Sequence, residues 1–131
     1  MMRWAALAGV VFYAGLIVAL SSQSTLPLPE SVLPIDKAAH LIEYGGLSSL
    51  LYWAHLAEGS TRRAAWWSAV ILASLYGVSD EVHQYFVPGR SSEVLDWVAD
   101  TSGAALGAWG CSAISAAFAR RRAPAVVASS R

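Results

Sequence analysis

The chain has 131 residues, of which 56 % are apolar and 14 % charged, and its formal net charge is zero. Soluble domains carry about 25 % charged residues, so this composition excludes an ordinary water-soluble domain. Nine scattered basic residues also exclude a surface that binds nucleic acid. The single cysteine, Cys111, excludes a disulfide framework, and the length allows one domain.

Four apolar segments predict four membrane-spanning helices. The first segment carries no charge over seventeen residues, and polar flanks lengthen the second and third segments toward the roughly 20 residues that a crossing requires. The fold class is therefore predicted to be all-α, an integral membrane four-helix bundle that forms a single domain. The predicted spans are 4–20, 36–57, 64–85 and 92–118, followed by a flexible tail over 119–131.

Capping residues and turn signals suggest where the last three helices begin and end. Asp36 follows a proline and is expected to be the N-cap of the second helix. The third helix is expected to continue to about Tyr85, before Pro88-Gly89 forces a turn. Ser91 or Ser92 is expected to cap the fourth helix, with a glutamate in its first turn.

Basic residues divide unequally between the two sides of the membrane if the spans alternate in direction. One side holds only Lys37 and Arg90, and eight of the nine acids fall on that side or in the outer part of the membrane, Glu58 being the exception. An excess of basic residues marks the cytoplasmic side. The protein is therefore predicted to be a multi-pass protein of the inner membrane with both termini in the cytoplasm. The cytoplasmic basic residues are Arg3, Arg62, Arg63, Arg120, Arg121, Arg122 and Arg131.

The first apolar segment has an alternative interpretation as a cleaved signal peptide. Arg3, a short apolar run and small residues at 19–22 fit that pattern. Cleavage would leave three spans and an extracytoplasmic N-terminus.

Polar residues recur at helical spacing near the predicted outer side. Asp36, His40 and Tyr44 are four residues apart and share one face of the second helix, as do Asp80 and Gln84 on the third. Such residues are costly in hydrocarbon and normally face the interior of a bundle. A shared polar pocket between the second, third and fourth helices is therefore expected.

The fourth helix carries a stripe that begins with acids and continues with glycines. Asp96 and Asp100 occupy its outer turns, and Gly103 and Gly107 follow on the same face. The glycines are expected to let a neighbouring helix pack closely rather than to contact a ligand.

Asp80 and Glu81 are predicted near the C-terminal end of the third helix, where the helix dipole disfavours negative charge. Other acids lie nearby, so repulsion must be offset by Arg90, Lys37, a bound cation or protonation of one carboxyl group. A functional site is the favoured interpretation of this arrangement.

At these positions the sequence resembles the VanZ-like membrane protein family. The matching segments are 36–47 (DKAAHLIEYGGL), 79–90 (SDEVHQYFVPGR) and 96–103 (DWVADTSG). The resemblance extends from the first span to the fourth, although family members often carry asparagine at the position of Asp100. The family's namesake is associated with low-level resistance to the glycopeptide antibiotic teicoplanin. The resemblance implies a functional face formed by Asp36, Lys37, His40, Tyr44, Asp80, Glu81, Gln84, Arg90 and Asp96.

These residue types suggest acid–base chemistry or recognition of an anionic group. His40 is the candidate general acid or base, with Asp36 or Asp80 to orient it, while Lys37 or Arg90 would hold a phosphate or carboxylate. No cofactor is expected; the carboxylates with His40 could hold a divalent metal, but their spacing fits no established metal signature. The candidate catalytic residues are His40, Asp36, Asp80, Glu81 and Tyr44, and the candidate substrate-binding residues are Lys37, Gln84, Arg90, Asp96 and Asp100.

Four functions are compatible with this pattern. The protein could be an enzyme acting on a lipid-linked or cell-envelope precursor, or a non-enzymatic binder of an amphiphilic envelope ligand or partner membrane protein. The polar residues could instead lock the helices together, or serve a proton-coupled transporter. Membrane lipids are expected partners, nucleic acids are not, and the sequence leaves the oligomeric state open.

Overall fold

Each apolar segment of the sequence forms one helix. The computed structural model describes residues 2–23, 33–90 and 92–122, and these residues form four helices and no strand. The helices are α1 (Met2–Ser21), α2 (Leu33–Ala57), α3 (Arg62–Tyr85) and α4 (Val94–Arg122). The predicted all-α class is confirmed, and the predicted end of the third helix at Tyr85 is correct.

Local sequence explains the bounds of α3. The Thr61 hydroxyl accepts a hydrogen bond from the backbone N–H of Ala64 at 3.2 Å, which caps the start of the helix. Gly89 has a φ of 82° in the turn that follows the helix, a conformation that glycine adopts without steric cost. The predicted turn at Pro88-Gly89 is therefore present.

Two of the predicted helix N-caps are wrong. Helix α2 begins at Leu33, so Asp36 lies within its first turn rather than at the N-cap, and the carboxylate still complements the positive end of the helix dipole. Pro34 is accommodated because first-turn N–H groups have no acceptor within the helix. Helix α4 begins at Val94, which places Ser92 and Glu93 before the helix; Ser91 lies outside the described residues.

The predicted tail is also corrected in part. Helix α4 continues to Arg122, so residues 119–122 are helical. The remainder of the predicted tail, 123–131, lies outside the described residues.

The close packing of α2 against α4 depends on glycine. A Cβ atom at Gly103 would overlap the backbone carbonyl of Leu41, and one at Gly107 would overlap the carbonyl of Gly45. Helix α2 contacts each of the other three helices, whereas α1 contacts α2 and, less extensively, α3. The two glycines are packing residues, as the sequence predicted.

The outer surface of the bundle is apolar. Large side chains are left exposed, among them Phe12 (76 %), Ile42 (69 %) and Trp109 (67 %). Helices α1 and α4 are long and apolar enough to cross a membrane, and α2 and α3 have 25 and 24 residues. Exposed apolar surface of this extent marks contact with lipid or with another protein.

Polar side chains gather at one end of the bundle. Neighbouring helices alternate in direction, so the end of α1, the start of α2, the end of α3 and the start of α4 meet there, as the Ser21–Asp80 and His40–Asp100 contacts show. This region is called the polar end below. The opposite end of the core is apolar and contains Tyr52, Ala65, Ala69, Val70, Ala108 and Cys111.

Candidate functional site

The deepest contact of the polar end joins α2 to α4. His40 Nδ1 lies 2.9 Å from Asp100 Oδ1, and the two side chains are buried. A carboxylate in this position fixes the tautomer and orientation of an imidazole. Asp36 or Asp80 was expected to orient His40, whereas the hydrogen bond that the structure shows is with Asp100; the Asp36 carboxylate also lies close to His40. The residues that meet His40 are set by helix packing, which spacing within α2 does not reveal.

Asp80 is held by neutral donors from two helices. The Ser21 hydroxyl donates to Asp80 Oδ1 at 2.6 Å, and Gln84 Nε2 donates to Oδ2 at 3.0 Å. Arg90 in turn donates to Gln84 Oε1 at 2.8 Å. Gln84 therefore relays the contact between the Asp80 carboxylate and the Arg90 guanidinium. Helix α1 takes part through Ser21, so the polar end is built from four helices rather than the three expected.

Lys37 joins the start of α2 to the start of α4. Its ammonium lies 2.9 Å from Glu93 Oε2 and also donates to Asp96 Oδ1. The Asp96 carboxyl group is buried, so the lysine supplies the opposite charge that a buried carboxylate needs. Of the two roles considered for Lys37, ion pairing with nearby acids is the one that the structure shows.

Glu81 connects the polar end to the apolar outer surface of the bundle. Its Oε2 accepts hydrogen bonds from the Ser92 hydroxyl at 3.0 Å and from the Glu93 backbone N–H at 2.9 Å. Its Oε1 is buried and has no hydrogen-bond partner among the described residues. The segment before α4 is thus tied to α3 through one oxygen of Glu81, which leaves the other oxygen available.

A small cavity opens beside His40. Its volume is about 80 Å³, which suits a single small polar group rather than an entire headgroup. Both polar and apolar side chains line it, and they come from α1, α2, α3 and the turn after α3. The lining residues are Leu20, Ser21, Asp36, Ala39, His40, Glu43, Gln84 and Arg90.

A larger apolar groove runs along the outside of α3 and α4. Its volume is about 430 Å³, and Glu81 lies in its wall together with Ser92 and Glu93. The groove is otherwise apolar, and its exposed side chains include Tyr85 and Phe86. The apolar lining residues are Val78, Val82, Tyr85, Phe86, Val94 and Trp97.

Tyr44 lies deeper in the bundle than the other predicted site residues. Its side chain is fully buried in an apolar cluster with Ile17, Leu47, Ala73 and Ala104. The hydroxyl has no hydrogen-bond partner among the described residues, and Tyr44 lines neither the small cavity nor the groove. The structure therefore places Tyr44 in the core below the site.

Two groups of side chains have the composition of a metal site. Asp36, His40 and Asp96 form one group, and His40, Glu81 and Asp100 form the other. Within each group, one potential ligand atom from every residue lies within 4.8 Å of the others. The second group is entirely buried.

The structure brings together nine of the ten predicted site residues, with Tyr44 as the exception. Sequence reasoning missed Ser21, because it closes an apolar span and resembles a helix end. It also missed Ser92 as a hydrogen-bond donor to Glu81. Glu93 was expected in the first turn of the fourth helix, whereas it precedes that helix and pairs with Lys37. Contacts between segments far apart in the chain carry no local sequence signal.

The comparison with protein families identifies a family over most of the chain. The family model described as VanZ/LLP1 matches residues 5–115, which covers all four helices except the first residues of α1 and the last residues of α4. No curated protein and no solved structure matches the chain.

Proposed function

Because the chain belongs to the VanZ/LLP1 family, and resemblance to that family implies a role in the cell envelope, we propose that it is a multi-pass protein of the cytoplasmic membrane. Its four helices cross the membrane, both termini lie in the cytoplasm, and the polar end faces outward. There it binds or acts on an amphiphilic ligand, such as a lipid-linked envelope precursor. The observation that carries the proposal is the position of buried Glu81 between the polar end and the apolar groove.

The polar part of the ligand would enter the small cavity. Arg90 lines that cavity beside His40, and a guanidinium is well suited to bind a phosphate or carboxylate. Gln84 lines the same cavity, and its side-chain amide has a second N–H besides the one that it donates to Asp80. Because the space is small, we expect it to take only the charged group of the ligand, while the remainder of the headgroup lies outside.

The apolar part of the ligand would lie in the groove between α3 and α4. The groove is lined by exposed aliphatic and aromatic side chains and faces away from the core. A hydrocarbon chain there would keep its contact with lipid while the polar part of the ligand extended past Glu81 toward His40 and the small cavity. This continuity favours an amphiphile over a water-soluble ligand.

The His40–Asp100 pair favours an enzyme over a passive binder. A histidine held by a buried carboxylate is the usual arrangement of a general base or acid. The remaining alternative is a membrane binding protein, in which the same groups recognise a headgroup without turnover, or a structural partner of another membrane protein.

Envelope-precursor profiling tests the proposal. A strain lacking the gene is complemented with the wild-type chain, with Asp80→Asn or with His55→Gln, and lipid-linked precursors are measured by mass spectrometry. His55 lies in the last turn of α2, at the opposite end of the bundle. We expect a precursor to accumulate in the deletion strain and with Asp80→Asn, but not with wild type or His55→Gln.

The alternatives predict other results. A ligand that co-purifies unchanged with the wild-type protein, without precursor accumulation in any strain, would support the binder. Unchanged profiles with no co-purified ligand, together with equal thermal destabilisation by all polar-end substitutions, would contradict the proposal and support a structural lock.

The family resemblance extends the proposal to glycopeptide resistance. If teicoplanin or its envelope target is the ligand, the wild-type chain raises the minimum inhibitory concentration of teicoplanin in a susceptible strain. Asp80→Asn should abolish that increase and His55→Gln should retain it. An unchanged inhibitory concentration with a well-expressed wild-type chain would remove teicoplanin resistance from the proposal.

A further inference from the structure

The geometry of the polar end points to a divalent metal site. We infer that His40, Glu81 and Asp100 bind one first-row transition-metal ion, such as Zn²⁺ or Mn²⁺. The inference goes beyond the proposed function, because metal binding requires no envelope ligand.

The three side chains converge from three different helices. One potential ligand atom of each lies within 4.8 Å of the others. Ligand atoms bound to one ion at about 2.0–2.2 Å lie roughly 3–4 Å apart, so small rotations of side chains would close the site. A bound ion would replace the hydrogen bond between His40 and Asp100, and His40 would then serve as a metal ligand rather than as a free acid or base. The ligands come from α2, α3 and α4, which explains why no local spacing signature is visible in the sequence.

Unpartnered oxygens provide the second, independent observation. Glu81 Oε1 and Asp100 Oδ2 are buried and have no hydrogen-bond partner among the described residues. The two residues are 8 % and 0 % exposed. A buried carboxylate oxygen without a partner is costly, and a cation bound between Glu81 and Asp100 would offset that cost.

Charge balance at the polar end also favours a cation. The described residues there include seven acids, and the basic residues Lys37 and Arg90 with His40 do not balance them. Lys37 is already engaged by two carboxylates, and Arg90 donates to Gln84. The acids are Asp36, Glu43, Asp80, Glu81, Glu93, Asp96 and Asp100.

The donor set indicates which ions fit. One imidazole nitrogen and two carboxylate oxygens suit zinc and manganese, whereas calcium and magnesium prefer oxygen ligands alone. The competing group of Asp36, His40 and Asp96 shares the histidine, but its Asp96 carboxylate already binds the Lys37 ammonium. We therefore assign the ion to the buried group.

Metal binding by the purified full chain tests the inference. The protein is stripped with a chelator in detergent, and Mn²⁺ or Zn²⁺ is added back. Manganese binding is followed by electron paramagnetic resonance and zinc content by elemental mass spectrometry. We expect one ion per chain in the wild type and in His55→Gln. Glu81→Gln and Asp100→Asn should each weaken metal binding by at least roughly 10- to 100-fold. That is the loss caused by changing residues that only orient the metal ligands.

A spectroscopic signature keeps the test valid if a variant fails to fold. Manganese bound to the wild type should show hyperfine coupling to a histidine nitrogen, and a folded His40→Gln variant should lose it. Absence of that coupling in the wild type, or equal affinity in wild type and folded Glu81→Gln, would overturn the inference. Precursor accumulation with Asp80→Asn would then leave the proposed function intact.

Discussion

The ammonium of Lys37 lies between two carboxylates at the start of α4, and only one of them is exposed to any extent. The Glu93 side chain is 37 % exposed and that of Asp96 is 2 % exposed. Removal of the lysine would leave the Asp96 carboxylate buried without an opposite charge. The pair should therefore affect stability much more than a surface salt bridge does.

Lys37→Met should destabilise the protein by about 3 kcal/mol, the lower end of the range for breaking a buried ion pair, because the lysine is partly exposed. Thermal unfolding in detergent measures the effect. The double variant Lys37→Met/Asp96→Asn should recover part of the lost stability, since it also removes the buried carboxylate that would otherwise have no opposite charge. Additive losses in the double variant would contradict the pairing.

Individual site residues were more predictable than their partners. The period of α2 placed Asp36 and His40 on one face, and the order of acids along α4 placed Asp96 and Asp100 on another. Hydrogen bonds such as Ser21–Asp80 join residues 59 apart in the chain. Which side chains meet depends on how the helices are rotated against each other, and local periodicity does not specify that rotation.

At the scale of the elements, glycine sets the distance between α2 and α4. Gly103 and Gly107 face the backbone of α2 directly, whereas Gly110 on the same helix has open space around it. The three positions thus provide a matched comparison within one helix.

Gly103→Ala and Gly107→Ala should each cost about 1–3 kcal/mol, because the added methyl group pushes the helices apart. Gly110→Ala should cost nothing, since alanine favours the helix and meets no neighbour. Denaturant unfolding in detergent compares the three variants. Equal stability of Gly103→Ala and Gly110→Ala would show that close packing at the stripe is unimportant.

The helices themselves were predicted well because apolar length is a local property. Their starts were less accurate: Asp36 resembles an N-cap, yet the apolar residues before it extend α2 back to Leu33. The end of α4 was placed too early, since the basic residues at 120–122 continue the helix rather than end it. Charged residues indicate where a helix would leave the hydrocarbon of a membrane. The helix itself continues for as long as its backbone hydrogen bonds do.

At the scale of the whole molecule, the uneven distribution of basic residues predicts the orientation. Glu58 and Pro88 are exposed residues in the turns at opposite ends of the bundle. They offer positions for single cysteines once the native Cys111 has been replaced by alanine.

Cysteine labelling of intact cells should distinguish the two ends. A membrane-impermeant thiol reagent should label Pro88→Cys from outside and should label Glu58→Cys only after the membrane is opened. The reverse pattern would place the polar end in the cytoplasm. Labelling of both cysteines in intact cells would contradict a membrane-spanning arrangement.

Helix α1 should be present in the mature protein, because it contributes Ser21 to the polar end and accepts a hydrogen bond from the Tyr76 hydroxyl at the carbonyl of Ala14. Mass spectrometry of the intact purified protein should give a mass that includes this helix. A mass that begins near residues 19–22 would instead support a signal peptide.

The groove is where the proposed amphiphile would contact both the polar end and the apolar outer surface of the bundle. Val82 lines the groove and is 56 % exposed; Ile71, about three turns earlier on the same face of α3, is 51 % exposed and lies outside the groove. A tryptophan at either position adds a similar bulk, but only Val82→Trp would fill the groove.

Native mass spectrometry of the full chain, purified from its own membranes, tests most directly whether the polar end and the groove bind an amphiphile. The wild type and Ile71→Trp should retain one specific amphiphile above the bulk lipids, and Val82→Trp should lose it. Equal retention by Val82→Trp and Ile71→Trp, or a wild type that carries bulk lipid alone, would contradict the account.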